Sequence, residues 1–232
     1  MNMKKTAIVI SMIMAIGSTA HAGLSSLGAL SSKLTESATG VSSSNIDLAG
    51  FFTQAKAANS MFIDSRTALA SLLASKKDSD ELKTKQKSLK TTSDPKEKNA
   101  IQKEIIAMSS AVLEASKKDE QATVEKLSAL DSKQKQLLLN SASNFAIASL
   151  TARELAINSK QVSMSIMSNP SSLSNTGLSL VDAKDVVSDI TGIAKNSSMA
   201  LVEYPKLFKK AGIEFKMPAS STEKPKDISS LL

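Results

Sequence analysis

Residues 96–169 read KEKNAIQKEIIAMSSAVLEASKKDEQATVEKLSALDSKQKQLLLNSASNFAIASLTARELAINSKQVSMSIMSN, with Pro95 before and Pro170 after. No glycine or proline occurs inside, and Ala, Leu, Lys, Glu, Gln and Ser fill it. Those residues lose little on entering a helix, whereas the two breakers of regular structure are missing, so helix is the economical reading. As one rod the stretch would be about 110 Å long at 1.5 Å per residue. A compact domain has no core of that length, so the rod bends or lies along helical partners. The chain offers such an arm on each side, and the expected fold class is all-α: an elongated helical bundle or long helical hairpin with coiled-coil-like packing.

The N-terminal segment, residues 1–22, reads as an export signal. Lys4 and Lys5 supply the charge, a short apolar run follows, and Ala20-His21-Ala22 is the small-x-small pattern that precedes cleavage. The mature chain is therefore expected in the periplasm or outside the cell. Cleavage would remove the single histidine and leave 27 basic against 22 acidic residues, a net +5, with no Cys and no Trp. Ser-His-Asp and Cys-His catalysis fall away, as do His- or thiolate-ligated metals, so no cofactor or metal is expected. Residues 23–45 are rich in Ser and Gly and read as a flexible leader, with a short docking helix on Leu27, Leu30 and Leu34 as the competing view.

Residues 46–212 carry the helical body. Phe51, Ala55, Ala58, Phe62, Ser65, Leu69 and Leu72 recur in alternating steps of four and three, the rhythm of one helix seam. Ser93-Asp94-Pro95 predicts a hairpin turn, with Asp94 capping the next helix and Pro95 at its first position. Ile101, Ile105, Met108, Val112 and Ala115 resume the rhythm, which slips phase at Lys117-Lys118-Asp119-Glu120; the preferred reading there is a continuous helix. Asn140, Ser141, Ser143 and Asn144 form a candidate bend. The last helix is expected from near Ser179, with Val187, Ile190, Ala194, Ser197, Leu201, Tyr204 and Phe208 on its core seam. Pro205 should kink it and Gly212 should end it. Residues 213–232 read as a disordered tail.

Charge divides this body. Residues 76–135 are densely charged, whereas 136–181 hold only Arg153, Glu154 and Lys160. The expected picture is a nearly neutral base from which a thin charged hairpin, about 76–135, projects into water. Lys85, Lys87 and Lys90 on that hairpin are a candidate surface for an anionic partner, against the simpler reading of solubility. Nucleic acid is not expected, since Arg clusters and interleaved aromatics are missing. Phe145, Leu150, Leu155, Val162 and Ile166 are the candidate partner-binding residues, because segment 137–168 is apolar over more of its circumference than one helix seam covers. Asp182, Asp185 and Asp189 suit the positive end of a helix dipole better than a metal.

These residues match no family signature. Three functional classes follow. An exported, non-enzymatic helical protein that binds or assembles proteins, including itself, fits the missing catalytic chemistry and the long seams. A lipid- or membrane-active protein, holding a hydrophobic ligand or entering a bilayer, fits the apolar excess of 145–167. A carboxylate-only hydrolase is the third, and no pair of acids in an apolar setting speaks for it.

Overall fold

The computed structural model describes residues 46–231, so the expectations for 1–22 and 23–45 lie outside the described residues. The described residues are mostly helical and include no strand. Its helices are α1 (Leu48–Leu73), α2 (Lys76–Thr91), α3 (Pro95–Lys118), α4 (Glu120–Ser128), α5 (Ser132–Ser168) and α6 (Leu180–Lys210). Short 3-10 turns at Pro170–Thr176 and Ser229–Leu231 complete the fold.

Helices α1, α5 and α6 surround the core. Every residue of the first seam, from Phe51 to Leu72, is buried, and Val187, Ile190, Ser197, Tyr204 and Phe208 of the last seam join it. The aromatic side chains register these helices on one another. Phe62 of α1 meets Phe145 of α5 at 4.9 Å between ring centroids, and Phe145 meets Tyr204 of α6 edge-on at 5.7 Å. Tyr204 continues to Phe208, and Phe208 to Phe215 beyond the helix end. A column of five rings therefore crosses the three helices, each pair adding about 0.5–1.5 kcal/mol beyond its area burial.

Local caps decide where the helices stop. Ser75 accepts from the Asp78 N–H and starts α2 two residues after α1 ends. Asp119 accepts from the Ala122 N–H, so the helix breaks at the phase slip where a continuous one is expected. The capping carboxylate satisfies an orphan donor that a turn former would otherwise leave free. The bend expected at 140–144 is also corrected: α5 runs unbroken through it, and the turn lies at 129–131, where Asp131 and Gln134 close a reciprocal capping box. Ser179 and Asp182 close the same box at the start of α6, where the sequence expects that helix to begin. Helix α6 continues through Pro205 and stops at Gly212, whose φ of 70° is costly for any other residue. The Gly212 N–H donates to Lys209 O and the Ile213 N–H to Phe208 O, which is a Schellman closure.

Two further corrections concern the ends of the predicted body. The charged hairpin does not stand off the base. The break at Ser75 lets α2 fold back, and α2 and α3 both pack along α1, with Leu82 and Ile105 fully buried. Residues 213–231 are not a disordered tail either; they pack along α5. Asn144 Nδ2 donates to Lys226 O at 2.8 Å while its Oδ1 accepts from the Lys226 N–H at 2.7 Å. Asn140 Nδ2 donates to Asp227 O, and Ser221 Oγ to Glu154 Oε2. The amides that suggest a bend are used sideways, to hold an extended segment whose own apolar anchors, Ile213 and Ile228, are buried.

Replacing the buried Asn144 with Ala removes both of its hydrogen bonds to the Lys226 backbone, so a loss of about 1–3 kcal/mol in urea-unfolding free energy is expected. Faster proteolysis between residues 219 and 231 should accompany it.

Candidate functional site

The residues that the sequence offers as a partner face are core. Phe145 is clasped between Phe62 and Tyr204. Leu155, Val162 and Ile166 are buried, and Leu150 is half-buried. The apolar excess of α5 is real, but α1, α6, the 3-10 turn at Pro170–Thr176 and the returning tail cover it within one chain. A charge placed at Leu155 would therefore test folding rather than partner binding.

What α5 leaves in water is its opposite face. Ile157 is 78% exposed, Met164 52% and Met167 64%. Steps of seven and three residues keep the three on one side of a helix, turned away from Leu155, Val162 and Ile166. Val181, in the first turn of α6, is also exposed. The sequence contained this signal: Ile157, Met164 and Met167 belong to the apolar residues too numerous for a single seam, but pattern alone does not say which of them the fold would cover.

The hairpin lysines separate. Lys85 bridges Glu104 of α3 at 2.5 Å and Glu81 of its own helix at 3.7 Å, whereas Lys87 and Lys90 are exposed. Lys85 is thus engaged in holding α2 to α3, and its partners raise its affinity for the proton. The three do not form a single basic site.

An open cleft lies where the two capped breaks meet, lined by Leu73, Ser75, Asp78, Asp119, Thr123 and Lys126 among others. Lys126 Nζ donates to the carbonyl oxygens of Leu73 and Ala74 and so closes the C-terminal end of α1. Thr123 Oγ1 donates to Ser116 O at 2.8 Å across the α3–α4 joint. Lys126 and Thr123 thus join helices here, while Ser75 and Asp119 cap them.

Charge inside the body is also structural. Arg66 Nη2 donates to Ser110 of α3 at 2.7 Å, and Lys117 of α3 bridges Glu203 of α6 at 3.3 Å. Burial pushes the Tyr204 hydroxyl up to about 12, with Arg66 opposing. Burial carries the Asp189 carboxyl up to about 6, and the negative Asp185 one turn away adds to the shift. Asp182 is engaged in its capping box. Among the described residues no group of His, Cys, Asp or Glu is arranged to hold a metal ion, and no helix is long and apolar enough to cross a membrane. Comparison with protein-family models finds none that matches the chain, and comparisons with curated proteins and with solved structures find no match either.

Asp189 gives a pH test. A carboxyl whose folded pKa is raised lends stability that is complete below the ordinary carboxylate range and lost as pH rises through about 6. Asp189→Asn removes both that loss and the repulsion from Asp185. Its urea midpoint should gain on the unsubstituted chain as pH is raised from 5 to 7, and the gain should vanish below pH 4.

Proposed function

We propose that this is an exported, non-enzymatic helical protein that assembles with a protein partner or with itself, and that the outer face of α5 is its working surface. The reading joins the export signal at 1–22 to an elongated helical bundle whose long helices pack in coiled-coil fashion, and it puts the mature chain in the periplasm or outside the cell. The observation that carries it is the exposure of Ile157, Met164 and Met167 on one face of a helix whose other face is already committed to the core. Large apolar side chains left together in water mark contact surfaces. Met suits such a surface, because its unbranched chain adapts to a partner's shape.

The lipid-active alternative loses its main support, since Phe145, Leu155, Val162 and Ile166 are spent inside the chain. Lys87 and Lys90 serve solubility in this reading.

The test is a chain carrying Ile157→Asp and Met164→Asp together. Both positions are exposed, so helicity by circular dichroism should be unchanged and the unfolding free energy should hold within about 0.5 kcal/mol. Self-association by sedimentation, or retention of a partner from the native envelope, should drop by an order of magnitude or more. Undiminished association by the double variant would overturn the assignment of the surface. Flotation of the unsubstituted chain with liposomes would move the function to lipid.

A further inference from the structure

Helix α2 is densely charged, yet it buries two side chains, Leu82 and Gln86. Leu82 is an apolar anchor. Gln86, at 2% exposure, is an amide in a place where an apolar residue would serve as well. Its Nε2 donates to Asp64 Oδ1 of α1 at 2.9 Å, while its Oε1 is buried and accepts nothing. Buried acceptors are rarely left so.

The mismatch lies in the protonation of the neighbour. An ionised Asp64 offers acceptors only, and so it has no hydrogen to give to the unpartnered Oε1 of Gln86. One proton on the carboxyl changes this. Oδ1 still accepts from Nε2, and Oδ2–H can donate to Oε1, so acid and amide close a reciprocal pair with both partners satisfied.

The surroundings favour that state. Burial is the largest influence on Asp64 and carries its carboxyl up to about 6, against the hydrogen bond from Gln86 and the positive charge of Lys90, one turn along α2. Lys83 and Lys87 of α2 are exposed. Arg66 on α1 turns to Ser110 of α3, Glu104 of α3 takes Lys85, and Glu203 of α6 takes Lys117. Residues 136–152 of α5, which include the stretch opposite, carry no charge at all.

We propose that Asp64 and Gln86 form a proton-operated latch: the protonated acid clasps the amide and holds α2 on α1, and loss of that proton loosens the α2–α3 hairpin about the joint at Ala74 and Ser75. Loosening uncovers Leu82 and Ile105, both fully buried in the closed form. The hairpin would then be tight in mildly acidic surroundings and easier to open near neutrality.

The experiment follows the Asp64 carboxyl carbon by NMR in the full chain and measures hydrogen-exchange protection of the α2 amides at pH 5 and 7.5. Protection factors remove the pH dependence of intrinsic exchange. Asp64 should titrate near 6, and α2 protection should fall about tenfold across that interval, as a carboxyl displaced this far requires. Asp64→Asn supplies the missing donor permanently, so its α2 protection should be the same at both pH values. Titration in the ordinary range near about 3.9, or an Asp64→Asn chain that keeps the tenfold change, would overturn the latch. The titration is read on the unsubstituted chain, so it decides the matter even where the variant fails to fold.

Discussion

The contact between Phe62 and Phe145 is the constraint on which the rest of this fold depends. The chain has few aromatic residues and no disulfide, so helix registry rests on side-chain shape. Small residues, Ala55, Ala58, Ser65, Ala148 and Ala152, bring α1 and α5 close enough to bury backbone-near surface, but they specify position weakly. Two rings at 4.9 Å cannot slide by a turn without opening a void, and Tyr204 on the far side extends the same restriction to α6. With three helices registered, the outer pieces have fixed targets. Helix α3 meets α1 through Arg66 and Ser110, α2 meets it through Gln86 and Asp64, and the tail meets α5 through Asn140 and Asn144.

Much of this is legible in the residues. The four-three seams identify the buried side of α1 and of α6, and the Ser179, Pro95 and Gly212 signals fall at helix ends, since each depends on chemistry within a few residues. The errors arise where a local group serves a distant one. Asn140 and Asn144 resemble a bend because Asn favours turns, yet here each side chain satisfies backbone of the tail more than eighty residues away. Residues 213–231 resemble a tail because their own composition cannot form a core; α5 supplies it. Asp119 is the converse, a single capping side chain that breaks a helix where no glycine or proline announces it.

The candidate surface was half legible for the same reason. An excess of apolar residues on α5 is visible by counting, and it correctly says that more than one neighbour must cover that helix. Which residues remain outside depends on the azimuths of α1, α6 and the tail. Phe145, Leu155, Val162 and Ile166 go inward, and Ile157, Met164 and Met167 remain in water. The Asp64–Gln86 pair had no sequence signal, because an acid on α1 and an amide in a charged run look like two solvated residues until the break at Ser75 folds one onto the other.

A double-mutant cycle on Phe62→Ala and Phe145→Ala, measured by urea unfolding of the full chain, addresses the central claim most directly. If the ring contact registers α1 on α5, each single change should cost about 3–5 kcal/mol, and the pair should show a coupling of about 0.5–1.5 kcal/mol beyond additivity. Single losses below about 1 kcal/mol with strictly additive behaviour would contradict the account, since surface substitutions alone cost so little.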